Sequence, residues 1–547
     1  MTYNPQQQPG QPNGPEQQYH HQHQQFQYQY QPPPSQTYAQ QLPDYGAQPI
    51  YGNTGPETMQ FDQTFKIEEP KYNDLWAAIL FLCTLFGFIG ISAFSIYGYD
   101  TGISSSNRGI YRTDTVALNT NTIILFSFVL TVAFVTSATY LWIIRTFTKQ
   151  AIWITGVLQI VSGLCTAFYY FSRNWFSAGI LFLLFSIFYI FCFISWIPRI
   201  PFSVFMLQTI IDVSKNYGNI FMISVFGGLG TIAFAAWFAV TMVAIYVKFY
   251  PGSKACTSNE ASCSQGKVIG LLIFITFAGY WITEVIKNVI HVSISGVYGS
   301  WYFCSQKPGG FPKGSTRGAF KRAMTYSFGS ISFGSLLVAI VQMLRQACSI
   351  AQQNEAAEGN IFGVCLFCCL QFLIGLLDWA IQFINEYAFS YIALYGRSYI
   401  PVSFLSLFYF IVVDENEINA SCEAAKATWT MIKDRGVDVL VNECLINPVL
   451  SMGALFVAYL STILAFLYLQ FTRPSYNEGN TFTVVIMAFA FLIGLQIANI
   501  FLVPIKSGLA TFFVAMAFDP QILIMEYPDL WQRMIQVYPH VQTAIHA

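Results

Sequence analysis

The sequence predicts an all-α polytopic membrane protein, a helical bundle of about ten transmembrane helices and at most eleven. Two of the observations behind this prediction are compositional. Of the 547 residues, 54% are apolar and only 10% are charged, whereas roughly 25% of a soluble domain is charged. The third is run length, since several apolar runs exceed the roughly 18 residues that indicate a membrane-spanning helix. The short alternating segments of a transmembrane barrel do not occur in the sequence.

The apolar runs place the spans in chain order. We predict spans at 75–97, 121–144, 150–171, 175–197, 220–249, 267–303, 323–344, 361–384, 446–471 and 481–503. The sixth span is overlong, and a bend is expected near Gly296 or Gly299. Residues 202–217 place apolar side chains at helical spacing, which predicts an interfacial amphipathic helix. The last apolar piece, 504–518, either continues the tenth span or forms an eleventh membrane element.

Composition also divides the chain into regions. Residues 1–70 form a Gln-, Pro- and Tyr-rich tail with too few large apolar side chains to offset the entropy of ordering, so we expect it to be disordered and cytoplasmic. Residues 71–520 form the transmembrane domain, and 521–547 form a short cytoplasmic C-terminal tail. Within the domain, 401–422 interrupts the helical pattern with an apolar piece too short to span, and we interpret it as an insertion.

Basic residues indicate the orientation. With ten spans and the N-terminus inside, 17 of the 26 Lys and Arg residues fall on the inner side, 8 fall on the outer side, and Lys287 lies within a span. Because basic residues concentrate on the cytoplasmic side, both termini are predicted to be cytoplasmic in a plasma-membrane protein. Cys256 and Cys263 then share an outer loop, where an oxidising compartment permits a disulfide between them.

The run 267–303 carries the most informative polar residues. Glu284, Lys287 and His291 lie inside it at spacings of three and four, which places them on one helix face. Charges at that depth cost a few kcal/mol each unless they are paired or face a polar cavity. The substrate-binding candidates on or near this face are Trp281, Glu284, Asn288, His291 and Tyr298.

Two interpretations of this face remain open. In the first, the polar and aromatic stripe lines a solute path, and aromatic faces beside Glu284 hold an organic cation. In the second, Glu284 and Lys287 form a structural pair that stabilises helix packing and takes no part in a solute path. Asp378 and Glu386, near the inner end of the eighth span, are a second pair of acidic candidates.

Several function classes find no support. A net charge of −1 gives no basic surplus for binding nucleic acid. No nucleophile elbow, zinc-protease helix or phosphate-binding glycine loop is present, so neither an enzyme nor a bound cofactor is expected. The cysteines at 365, 368 and 369 lack a second pair of ligands at zinc-site spacing, so no metal site is predicted.

The second half of the chain resembles the choline transporter-like family, in particular its fungal branch. The residues that carry the resemblance are YWITEVIKNVIHVSISGVYGSWYF (280–303), AFKRAMTYSFGSISFGSLLVAIVQMLR (319–345), CLFCCL (365–370), FINEYAFSYIALYGRSY (383–399) and EAAKATWTMIKDRGVDVL (423–440). The pattern continues across 401–422 only if that stretch is skipped.

The resemblance implies a multi-pass transporter of roughly ten helices with a cytoplasmic N-terminus. It further implies that the solute is choline or a related organic cation. We therefore expect transport of a small solute across the plasma membrane, with membrane lipid as the surrounding partner. The contrasting expectation is a non-transporting scaffold or lipid-handling membrane protein.

Overall fold

The structure is a computed structural model in which Phe61 and residues 72–104, 120–172, 174, 176–217, 219–249, 264–396, 398–399, 444–472, 483–539 and 541 are described. Helices dominate these residues, and no strand occurs among them. Ten of the described helices are long and apolar enough to cross a membrane. The predicted all-α, polytopic architecture is confirmed.

The spanning helices follow the predicted order. They are α1 (Leu75–Ser104), α2 (Thr120–Thr146), α3 (Thr148–Ser172), α4 (Phe176–Trp196), α6 (Ile220–Phe249), α7 (Gln265–Cys304), α9 (Phe328–Ala357), α10 (Ile361–Tyr395), α11 (Ile446–Thr472) and α12 (Thr483–Phe518). Four shorter helices join or follow them, namely α5 (Ile200–Asn216), α8 (Ser315–Met324), α13 (Pro520–Glu526) and α14 (Pro528–Val537). The amphipathic helix predicted at 202–217 corresponds to α5, which buries one face.

The start of α1 and the ends of α7, α10 and α12 meet at one end of the bundle, which we call the basal end. Asn73 Nδ2 donates to the Gly396 carbonyl oxygen at 2.7 Å, just beyond α10. The Tyr302 hydroxyl of α7 donates to the Asp519 carbonyl oxygen at 2.8 Å, just beyond α12. Ten passes therefore return the chain to the end from which α1 departs.

The longest helix, α7, is the centre of the fold. Its 40 residues span about 60 Å at 1.5 Å per residue, twice the thickness of a hydrocarbon core. It continues as one helix through Gly296 and Gly299. Every residue from 288 to 304 is buried, because α5, α8, α9, α10 and α12 surround this basal half. Small residues permit the close approach, as where Gly296 faces the side chain of Ala319 in α8.

Helix α12 settles the alternative left open for 504–518. It runs unbroken from Thr483 to Phe518 with Pro504 inside it, so the last apolar piece continues the tenth span. Lys506, which the basic-residue count assigned to the inner side, lies within this span instead.

The interior proline removes one backbone donor from α12. Without an N–H at Pro504, the carbonyl oxygen of Ile500 loses its helical partner. The buried Ser224 hydroxyl of α6 donates to that oxygen at 3.2 Å. A neighbouring helix thus satisfies the group that the proline leaves open, as membrane-embedded helices require.

A basal junction explains why α9 begins later than the predicted span at 323–344. Residues 325–327 form a turn, closed by a 3.2 Å bond from Ser327 N to the Arg322 oxygen. Asp74 Oδ2 then accepts from Ser330 Oγ at 2.6 Å and from Tyr399 N at 2.8 Å. One carboxylate therefore joins the start of α1, the start of α9 and the segment after α10.

The segment predicted as a C-terminal tail from 521 contains two helices. Pro520 and Pro528 begin them, a position where the missing N–H costs nothing. Between them the Tyr527 hydroxyl donates to the Trp301 carbonyl oxygen at 2.7 Å. Burial raises the pKa of Tyr527 above its ordinary value, so this phenol remains a neutral donor at the basal end of α7.

Several expectations lie outside the described residues. These are the order of the tail before residue 71 (Phe61 apart), the insertion at 401–422 and the disulfide between Cys256 and Cys263. Each of these stays a prediction.

A double-mutant cycle tests the bond that replaces the proline's missing donor. Ser224→Ala should lower the free energy of unfolding by about 1 kcal/mol, because the Ile500 oxygen loses its partner. In a Pro504→Ala background the new N–H of residue 504 reaches that oxygen, so the same serine substitution should cost almost nothing. Thermal unfolding of the four purified proteins in detergent measures both effects. An equal cost of Ser224→Ala in the two backgrounds would contradict the assignment.

Candidate functional site

Two of the predicted binding residues are fastened to α9. Trp281 is 1% exposed, and its Nε1 donates to the Ser332 carbonyl oxygen at 2.9 Å. Its ring also packs edge-on against Phe81 of α1. Asn288 Nδ2 donates to Ser335 Oγ at 2.9 Å. The side-chain nitrogens of Trp281 and Asn288 are therefore used in hydrogen bonds that join α7 to α9.

The aromatic residues further along α7 also serve packing. The Tyr298 hydroxyl donates to the Ile210 carbonyl oxygen of α5 at 3.0 Å. Trp301 and Tyr302 pack their rings against Phe512 of α12 at centroid distances of 6.2 and 6.1 Å. Trp301 lies 17 residues from Glu284, which is about 25 Å along the helix. These aromatic faces stabilise the basal end and do not surround Glu284.

The predicted pair of charges on α7 is present. Lys287 Nζ donates to the two carboxylate oxygens of Glu284 at 2.9 and 3.2 Å. The two side chains are 12% exposed for Glu284 and 26% for Lys287. The pair is thus enclosed on most sides but retains access to open space.

His291 connects α7 with two further spans. Its Nε2 lies 3.0 Å from the Glu386 carbonyl oxygen and 3.2 Å from Ser390 Oγ, both on α10. Its Nδ1 lies 2.7 Å from Ser507 Oγ of α12. A carbonyl oxygen only accepts, so Nε2 carries a proton, and Nδ1 accepts from the serine in the neutral ring. Both ring nitrogens of this predicted binding residue therefore take part in contacts between helices.

Glu386 and Lys506 break two otherwise buried runs. From 385 to 394 on α10 every residue except Glu386 is buried, and from 500 to 517 on α12 every residue except Lys506 is buried. Both charges flank the His291 contacts, because His291 bonds to the Glu386 backbone and to the neighbour of Lys506. Glu386 and Lys506 are therefore only partly enclosed, although the residues beside them on each helix are buried.

Polar side chains from four spans interact around Glu386 and Lys506. Asn447, at the start of α11, donates through Nδ2 to the Glu386 carboxylate oxygens at 3.2 and 3.3 Å. Glu386, Lys506 and Lys287 interact electrostatically with one another. We call the group of side chains formed by Lys287, Glu386, Asn447 and Lys506 the charged recess. Four spans contribute to it, and the Glu284–Lys287 pair lies at its edge.

Only part of this recess was predicted from the sequence. Lys287 belonged to the predicted stripe, and Glu386 was a second acidic candidate. Lys506 lay just beyond the predicted end of the tenth span at 503, although a lysine inside the long apolar run 483–518 is itself a signal of a functional position. Asn447 gave no signal, because an asparagine at the start of a helix is common.

A second polar group lies between α9 and α10. Asp378 accepts from Gln342 Nε2 at 3.1 Å and from Gln382 Nε2 at 3.0 Å, and Arg345 approaches it at 3.8 Å. Its carboxylate is thereby satisfied within the helix pair. Among the described residues, no group of three His, Cys, Asp or Glu side chains is arranged to hold a metal ion.

Comparison with known proteins assigns the chain to a family. The family model described as plasma-membrane choline transporter matches residues 180–408 and 420–521, more than half of the chain. The chain belongs to the choline transporter-like family. All four residues of the charged recess lie within the matched ranges. The interruption at 409–419 falls inside the predicted insertion.

Fungal members of the choline transporter-like family match nearly the whole chain. The protein pns1 of Aspergillus fumigatus is 52% identical over 99% of this chain and 95% of its own length. The PNS1 protein of Gibberella zeae is 50% identical over 91% of this chain and 88% of its own length. The PNS1 protein of Saccharomyces cerevisiae is 40% identical over 92% and 91% of the two chains. The resemblance to the fungal branch of the family is confirmed.

The contact between His291 and Ser507 can be tested by removing one hydroxyl. Ser507→Ala leaves His291 Nδ1 without a donor in a buried site and should lower the free energy of unfolding by about 1–2 kcal/mol. Ser461→Ala is the matched control, because that buried hydroxyl bonds only to the Val457 oxygen of its own helix. Thermal unfolding in lipid nanodiscs compares the two. Equal losses would show that the histidine contact contributes nothing to packing.

Proposed function

We propose that this protein moves a small organic ammonium solute, choline or a relative of choline, across the plasma membrane. The charged recess forms part of the path. Membership of the choline transporter-like family supports transport, and the name of the matching family model supports the solute class. The names of the fungal relatives do not state a substrate.

One observation supports the recess most strongly. The residues from 385 to 394 of α10 and from 500 to 517 of α12 are buried except for Glu386 and Lys506. A charge inside a spanning helix costs about 2.5–3.5 kcal/mol on insertion scales. Helix packing alone does not offset this cost for a charge that is also partly exposed. An interaction between the charge and a passing solute offsets it.

The position of the recess suits a step near one membrane face. Glu386 lies 25 residues, or about 38 Å, from the first residue of α10. It lies only 9 residues, or about 14 Å, from the last residue of that helix, so the recess lies in the basal half of the span. Pro504, two residues before Lys506, weakens α12 at the same level and provides a place where the helix can bend during transport.

The orientation is also part of the proposal. The basic-residue count remains two to one for the predicted inner side, at 16 against 8, after Lys506 is moved into its span. By the positive-inside rule the basal end faces the cytoplasm, and the recess then opens toward the inside of the cell. Catalysis and a cofactor have no part in this proposal.

Uptake into proteoliposomes tests the proposal. We expect the wild-type protein to accumulate labelled choline, glycine betaine or phosphocholine above the level of protein-free vesicles. Glu386→Gln should reduce uptake of the transported compound at least about tenfold, because it removes a charge that attracts the ammonium group. Glu358→Gln, at an exposed glutamate between α9 and α10, should leave uptake unchanged.

Two results would count against the proposal. Uptake of none of the three compounds would contradict transport of this solute class and would favour the scaffold or lipid-handling alternative. Equal uptake by the wild type and Glu386→Gln would remove the recess from the path while leaving transport intact.

A further inference from the structure

Lys506 is the most unusual charge in the described part of the chain. It lies in the enclosed half of α12, and no described residue is within hydrogen-bond or ion-pair distance of its Nζ. The neighbouring Ser507 is bound to His291, which holds this part of the helix in place. The ammonium group is therefore positioned by the fold and left without a direct partner.

The opposite charge in the recess is also incompletely satisfied. Among the residues that the structure describes, the Glu386 carboxylate accepts only from the amide of Asn447, at 3.2 and 3.3 Å. Lys506 attracts it electrostatically, but the two groups do not come within the 4 Å of an ion pair. Lys287, the other cation nearby, is bound to Glu284. One anion and one cation therefore face the same space without closing on each other.

A bare cation fits this arrangement poorly. Its ammonium group would be attracted to Glu386 and repelled by Lys506 and Lys287, which act on the same space.

A bare anion is no better matched, because Glu386 would repel it. A molecule with both charges satisfies both groups at once. Its positive end lies against the Glu386 carboxylate, and its negative end forms an ion pair with the Lys506 ammonium group. Buried charges are stable when each is paired and hydrogen-bonded, and such a ligand supplies the missing partner to each.

We propose that the charged recess selects a zwitterion, an ammonium compound that also carries a carboxylate or phosphate group. Glu386 binds the ammonium end and Lys506 binds the anionic end. This inference rests on the proposed function, in that the recess lies on the transport path, and it narrows the solute from organic cations in general to zwitterionic ones.

The experiment compares three labelled probes in proteoliposomes that contain the full chain. Choline is the bare cation, and glycine betaine and phosphocholine carry the same trimethylammonium group with a carboxylate or a phosphate added. We expect the wild type to take up at least one of the two charged derivatives at least tenfold faster than choline at equal low concentration. Lys506→Met should abolish that preference by slowing the derivative at least tenfold, while choline uptake stays equal or rises.

The substitution Lys506→Met keeps an unbranched side chain of similar length, so the packing of α12 is preserved. Lys149→Met removes an exposed lysine at the start of α3 and should behave as the wild type. A measurement that needs no variant is the thermal unfolding midpoint of the wild-type protein with each probe. The preferred zwitterion should raise the midpoint at a concentration at which choline does not.

The outcomes separate this inference from the proposed function. Uptake of choline with no uptake of either derivative overturns the zwitterion and leaves transport standing. An equal loss for all three probes in Lys506→Met also overturns it, because the lysine would then act on every solute alike. Uptake of no probe at all overturns both.

Discussion

The complete enclosure of the basal half of α7 is the constraint on which the rest of the structure depends. Seventeen consecutive residues, 288–304, are buried, so every polar side chain there needs a partner inside the protein. Small residues and hydroxyls on α9, α10 and α12 provide those partners, and His291 connects three helices through its two ring nitrogens. Once α7 is held on all sides, α10 and α12 are fixed beside it and their own basal halves become buried in turn.

The charged recess differs from the enclosed core around it because its charged side chains are partly exposed. Glu386 and Lys506 are partly exposed within runs whose other residues are buried, and Lys287 lies just before the buried run 288–304 of α7. Pro504 lies one half-turn before Lys506, and its missing N–H is compensated by Ser224 from a different helix. The charged recess therefore adjoins a helix whose hydrogen-bond ladder is interrupted at Pro504. The proposed binding residues and the weakened turn of α12 lie at the same level of the structure.

Most of the fold could be predicted from the sequence, because run length and apolar composition determine the number and order of spans. The Glu284–Lys287 pair followed from helical spacing alone. The start of α9 could not be predicted, since it depends on the contact of Asp74 with Ser330, which is 256 positions away. The recess could be predicted only in part, because its charges come from separate spans whose adjacency is a tertiary property. Lys506 was counted on the inner side because the tenth span was predicted to end at 503, whereas the helix continues through Pro504 and a neighbouring hydroxyl satisfies the freed carbonyl oxygen.

The central claim is that open, water-accessible space borders charges deep in the bundle. Cysteine labelling in permeabilised vesicles tests it most directly, with a small charged thiol reagent and the wild-type protein as the background for native cysteines. Lys506→Cys should react above that background, and Phe513→Cys, two turns further along the buried part of α12, should not. A saturating concentration of the transported solute should slow the reaction at position 506. If Lys506→Cys reacted no faster than Phe513→Cys, the recess would be closed packing and the account of the path would be wrong.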